Sequence, residues 1–170
     1  MPNFKVIDGA PQPAARGSAA GHAASDVSVA LVAARFNADI VDHMIVGATA
    51  AWERQGGDRS RLLLVRAPGA FELPLLARKL AQSGRHDAVI ALGCVIRGDT
   101  AHFDFVAGEA ARGIADAARD TGVPVIFGVL TTENVEQALE RADPQRLDKG
   151  GEAMDAALEM VQVLRRIAAP

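Results

Sequence analysis

Four residues in one short window, Gly98, Asp99, Thr100 and His102, are of types that could bind an anion and move a proton. Gly98 lets a backbone approach a ligand closely. The N–H groups of a helix start point outward with the positive end of the helix dipole behind them, which suits a phosphate. Thr100 adds a hydroxyl. His102 carries the side chain most easily poised between acid and base near neutral pH. On residue type alone, Thr100 reads equally well as a helix cap and His102 as an ordinary first-turn residue. Metal binding by His102 with Asp104 is disfavoured, because an i, i+2 spacing points two side chains to different helix faces. No Cys/His spacing reads as a zinc site, so no metal is expected.

The elements that must position this window are legible on both sides of it. Ala88 to Ile96 is an apolar run rich in Val and Ile, the pattern of a strand buried on both faces. After the turn, Val106, Ala107, Ala110, Ala111, Ile114 and Ala118 recur at helical spacing. The same strand–turn–helix unit repeats along the chain. Asp26 to Ala33 is a strand that ends at Arg35-Phe36-Asn37. Asn37 then reads as the cap of a helix carrying Ile40, Val41, Met44, Ile45, Ala48 and Trp52 on one stripe. Leu62 to Val65 is a second strand, followed by a helix that tolerates Pro74 in its first turn and stops at Ser83-Gly84. Val123 to Leu130 is a fourth, leading through Thr131 and Thr132 to a short helix from Val135 to about Arg141. A polar loop follows, and Gly150-Gly151 opens a last helix that buries Met154, Ala157, Leu158, Val161 and Leu164.

Such alternation predicts an α/β fold: a three-layer αβα sandwich, with a flavodoxin-like parallel four-stranded sheet and helices on both faces. The expected strand order is 2-1-3-4, with the ligand crevice outside the carboxyl ends of the strands. There the strand ends deliver Phe36 and Asn37; Gly69, Ala70 and Glu72; the Gly98–His102 turn; and Phe127. An aromatic platform, a carboxylate, an anion cradle and an imidazole together suit a flat polar ring bearing hydroxyls beside a small phosphate ester. Singly, each has a plainer reading. Phe36 and Phe127 fit a core edge, Glu72 a carboxylate favoured by a helix dipole, and Arg141 and Lys149 surface charges.

Bulk composition narrows the class. The chain has 170 residues, 49% of them hydrophobic, which suits one globular domain. Its net charge of −3 and scattered basic residues argue against nucleic acid. No apolar stretch approaches a membrane span, and no membrane partner is expected. The N-terminus lacks the basic start and apolar run of a secretion signal, so a cytoplasmic setting is expected. Residues 1–25 are rich in Ala, Gly and Pro and read as a flexible arm, with Phe4-Lys5-Val6-Ile7 as a short β-prone island. Residues 26–170 form the single predicted domain.

Several motifs, in order and at consistent spacing, resemble those of the lumazine synthase family. They are ARFN from Ala34, PGAFELP from Pro68, GCVIRGDTAHFDFV from Gly93, GVLTTENVEQALERA from Gly128 and DKGGEA from Asp148. The likeness covers about Val27 to Leu164. It implies a transferase of riboflavin biosynthesis that condenses 5-amino-6-ribitylaminouracil with 3,4-dihydroxy-2-butanone 4-phosphate, giving 6,7-dimethyl-8-ribityllumazine, phosphate and water. No cofactor is implied. The resemblance assigns Phe36 to stacking on the pyrimidine and the backbone at Val95 and Ile96 to its edge. It assigns Asn37, Ala70 and Glu72 to the ribityl chain, and Phe71 between them is counted among the substrate contacts. Gly98 and the amides of Asp99 and Thr100 take the phosphate, and His102 shuttles protons. Phe127 and Arg141 come from an adjacent subunit, with Lys149 near the same site. A homo-oligomer with active sites between subunits is therefore implied. The loop Asp143 to Asp148, stiffened by Pro144, replaces a Gly-containing stretch common in shell-forming members, so a pentamer is expected. Phe103 and Phe105 stand where the family often has tyrosines. The competing expectation is a non-catalytic flavin- or nucleotide-binding module of the same fold.

Overall fold

A computed structural model describes residues 24–169. The β-prone island at Phe4–Ile7 and most of the expected arm lie outside the described residues. Ala24, inside the arm as expected from sequence, is fully buried, and its N–H donates to the Gln55 carbonyl at 3.2 Å.

The chain runs β1 (Val29–Ala34), α1 (Ala38–Arg54), β2 (Leu62–Ala67), α2 (Leu73–Gln82), β3 (Ala88–Ile96), α3 (His102–Thr121), β4 (Val125–Thr132), α4 (Val135–Ala142) and α5 (Lys149–Ala168). A single 3₁₀ turn precedes β2 at Arg59–Arg61, and another joins β2 to α2 at Ala70–Glu72. The strands form one parallel sheet in the order β2-β1-β3-β4, the order read from sequence.

Strand alternation divides the core into two layers. Val29, Leu31 and Ala33 of β1, with Ile90 and Leu92 of β3, pack against α1, α4 and α5. Ala30, Val32 and Ala34, with Val89 and Ala91, pack against α2 and α3. The two central strands are thus apolar at nearly every position because both faces are covered. The edge strands are less fully covered: β2 leaves Leu63 and Leu64 partly exposed, and β4 leaves Phe127 so.

Register sets the rim. Ala34 pairs with Ala67, and Ile96 with Thr132. Beyond those pairs Arg35 N–H donates to the Ala67 carbonyl and Arg97 N–H to the Thr132 carbonyl. The loops after all four strands therefore leave from one edge.

Close helix contacts explain two motifs. Pro74 sits in the first turn of α2, and a Cβ at Gly113 of α3 would lie 2.6 Å from the Pro74 Cβ, so glycine lets these helices meet. On the other face, Gly150 lies so near α1 that an added Cβ would fall 2.0 Å from the Met44 carbonyl oxygen. Asp148 caps α5 from the left-handed region, at φ 40° and ψ 51°, and its carboxylate accepts from the Gly151 N–H at 3.0 Å. The Asp-Lys-Gly-Gly run is thus a cap followed by two residues small enough for helix contact.

Candidate active site

Three of the four strand ends build one crevice. After β1 the chain turns at Phe36 and Asn37. Phe36 is 69% exposed, and with the exposed Phe71 and Phe105 it borders one crevice, a clustered apolar surface rather than a lone exposed ring. Asn37 departs from the capping expected of it. It adopts φ 58° and ψ 42° and caps α1 only with its backbone carbonyl, which accepts from Ile40 and Val41. Its side-chain amide instead donates to the Cys94 carbonyl at 2.9 Å. A residue that looked like a local cap is a tie between the loop after β1 and the end of β3, and asparagine tolerates the left-handed backbone this requires.

After β2 comes Pro68-Gly69, then the 3₁₀ turn Ala70–Glu72. Ala70 is buried, while Phe71 and Glu72 face outward. The Glu72 carboxylate lies back over Gly69, where a Cβ would sit 3.2 Å from Oε2. After β3 comes the Gly98–Ala101 turn. Ala101 occupies the cap position of α3 and has no side chain with which to cap it. Thr100 Oγ1 stands 3.4 Å from the His102 N–H, long for such a bond. The weak cap leaves the positive end of a 20-residue helix directed at the crevice mouth. No atom lies within 4 Å of a Cβ placed on Gly98, so the space over that backbone is open.

These loops enclose a cavity of about 670 Å³, within the range of small-molecule sites. Phe36, Ala70, Phe71, Glu72, Val95, Ile96, Gly98, Thr100 and His102 all border it. Asp99, exposed, lies between two of them. Phe103, Phe105 and Val106 of α3 complete the wall. The two phenylalanines were legible in sequence only as departures from a family pattern. Their place on the wall follows from the direction in which α3 leaves the turn.

The fourth strand end, Thr131-Thr132, does not border this cavity, and Phe127, expected at a strand end, is instead the third of the eight β4 residues. Phe127, 45% exposed, borders a separate cavity of about 290 Å³ with Lys149 and Glu152. Lys149 Nζ pairs with Glu152 Oε2 at 2.6 Å. Arg141 is half-buried on α4 and donates to the Gln137 carbonyl at 3.0 Å, on the wall of neither cavity. One chain therefore places the predicted site residues along two separate cavities, with Arg141 bordering neither.

Comparison with known proteins decides the family. The model of the 6,7-dimethyl-8-ribityllumazine synthase family matches residues 26–165. This chain belongs to that family. A 6,7-dimethyl-8-ribityllumazine synthase of Nitratidesulfovibrio vulgaris strain DP4 is 54% identical over 144 residues, 85% of this chain and 92% of the relative. One from Deinococcus deserti is 52% identical over 144 residues, again 85% and 92%. One from Chlorobium phaeovibrioides is 49% identical over 145 residues, 85% and 94%. The matched region takes in every residue that the lumazine synthase resemblance assigned to the site.

Cys94 borders the cavity but is ill suited to chemistry there. Its side chain is 2% exposed, and burial pushes the thiol up to about 11. The thiolate needed for nucleophilic attack is then scarce at neutral pH. We expect iodoacetamide to leave Cys94 unmodified in the native protein at neutral pH and to label it on unfolding, read by intact mass. Rapid native labelling would show that the end of β3 opens.

Proposed function

We propose that this chain catalyses the family reaction, the condensation of 5-amino-6-ribitylaminouracil with 3,4-dihydroxy-2-butanone 4-phosphate, at sites each shared by two subunits. The observation that carries the shared site is the separation just described: Phe36, Glu72, the phosphate turn and His102 border one cavity, while Phe127 and Lys149 border another. A second copy presenting Phe127 and Arg141 to the first cavity completes it.

The roles are those that the family resemblance implies. Phe36 stacks on the pyrimidine, and backbone at Val95 and Ile96 holds its edge. Ala70, Phe71 and Glu72 line the place of the ribityl chain, whose hydroxyls suit the Glu72 carboxylate. Asn37 serves the same end through the loop it fixes. The amides at Gly98, Asp99 and Thr100 hold the phosphate, and Arg141 of the neighbour neutralises it, with Lys149 close by. The substrate amine attacks the ketone, and loss of water gives an imine. A proton leaves the adjacent carbon as phosphate departs. The ribityl-bearing nitrogen then closes the ring, and a second water is lost. His102 stands where it can pass protons between these groups. No electrons are gained or lost overall, so no redox cofactor is required. Holding two reactants in register lowers the barrier by up to about 7–11 kcal/mol.

Residues 26–170 act in this proposal as one catalytic domain, assembled as a pentamer. The two copies meet head to tail, different surfaces in contact, which closes a ring. Its setting is the cytoplasm, where a chain with one cysteine and no internal disulfide is at home.

The test is to mix the purified protein with both substrates and follow lumazine fluorescence and phosphate release together. Equimolar product and phosphate are expected. Co-purifying flavin with no condensation would contradict the proposal.

Gly98 supplies a sharper check. The open space above it accepts a methyl group without clash, and its φ lies outside the left-handed region. Gly98→Ala should leave stability within about 0.5 kcal/mol. It should raise KM for the butanone phosphate about tenfold, the cost of disturbing a hydrogen bond to a charged group. An unchanged KM would move the phosphate elsewhere.

A further inference from the structure

Arg97 follows β3 directly and is absent from the site residues assigned above. Its N–H donates to the Thr132 carbonyl at 2.9 Å, which fixes its backbone to the end of β4. Its guanidinium reaches three groups. Nε donates to both Glu133 carboxylate oxygens, at 3.2 and 3.0 Å. Nη1 donates to Asp104 Oδ1 at 3.2 Å. Cζ lies 4.1 Å from the centroid of the Phe103 ring. Phe103 and Asp104 form the first turn of α3 immediately after His102, and Phe103 also borders the cavity. Glu133 lies between β4 and α4.

We infer that Arg97 is a positioning residue, a planar clamp that fixes the first turn of α3 against the β4–α4 junction and so aims His102 and the phosphate turn at the cavity. The inference rests on the reaction proposed above. Three observations support it. The guanidinium is already engaged by two carboxylates, so it is not the cation awaiting phosphate. Ion pairs this exposed contribute little to global stability, so what these contacts supply is local geometry. Finally, no atom comes within 4 Å of a Cβ placed on Gly98 in the turn it spans, so that residue adds no side-chain packing and the hold falls to the residues flanking the turn. A rigid fork that pairs with carboxylates and stacks on a ring is a task lysine cannot perform.

Arg97→Lys and Glu133→Gln test this from opposite ends of one contact. Both variants should lower kcat about tenfold and raise KM for the butanone phosphate, since small misplacement of reacting groups is costly. KM for the pyrimidine amine should stay within about twofold, because Phe36 sits on another loop and the backbone at Val95 and Ile96 is held by strand pairing with Thr131 and Thr132. Amide hydrogen exchange across residues 98–106 should quicken about threefold in both, with global melting unchanged. Two results overturn the inference. Unchanged exchange and kcat would mean that nothing depends on the clamp. A lower phosphate KM in Glu133→Gln would mean that Arg97, once freed, binds phosphate itself. If the wild-type protein makes no lumazine, the reaction assignment fails, and the exchange comparison still decides whether Arg97 orders the turn.

Discussion

Replacing His102 with alanine slows condensation about a hundredfold, the usual scale of a lost acid–base group. It does not reduce the rate to that of the mixed substrates in water. Phe36, Glu72 and the phosphate turn still bring amine and ketone together, and orientation is the larger contribution in a reaction whose bonds form without a protein nucleophile. KM for both substrates should change little, because His102 lies at the mouth of α3 and the phosphate is held by backbone. Single-turnover kinetics with both substrates measure this. A fall to the uncatalysed rate would show that the imidazole does more than transfer protons; an unchanged rate would remove it from the chemistry.

The largest effect on stability is expected at Gly150, far from the reacting atoms. A methyl group there would lie 2.0 Å from the Met44 carbonyl oxygen and 2.7 Å from the Met44 carbonyl carbon and Cα. Those are backbone atoms of α1 and cannot swing aside. Helices α1 and α5 must separate, which opens the layer that buries Met44, Ala48, Met154 and Ala157. Gly150→Ala should therefore cost about 3 kcal/mol or more. For a chain of this length that lowers the melting temperature by about 10 °C. It also shifts Lys149, the adjacent residue. Calorimetry that finds the variant as stable as wild type would mean the two helices can part freely.

The sheet was legible because each strand is a short apolar run bounded by turn residues, and each helix carries one apolar stripe. Order and layers followed from chain alternation. What sequence could not supply was tertiary competition for side chains. Asn37 has the type and place of a cap, yet a carbonyl 57 residues away takes its amide. Phe127 seemed to join the other strand ends because all leave one rim. It does not, because it is the third of the eight residues of β4, level with Ala91 in the middle of β3 and short of the rim where Ile96 pairs with Thr132. Arg97 pairs with Glu133, 36 positions distant, a partner that no local pattern marks. The Asp-Lys-Gly-Gly run stood as a helix opening and a family motif until the contact of α5 with Met44 gave it a steric reason.

Subunit mixing tests the shared site most directly. His102→Ala and Arg141→Ala each disable a different half of every site. Unfolded together and refolded, the two variants should regain intact sites at about a quarter of the subunit boundaries, as random assembly of a head-to-tail ring requires. Activity should then rise to about a quarter of wild type, well above the sum of the two variants assembled separately. A co-refolded mixture no more active than that sum would place His102 and Arg141 in the service of the same chain's site.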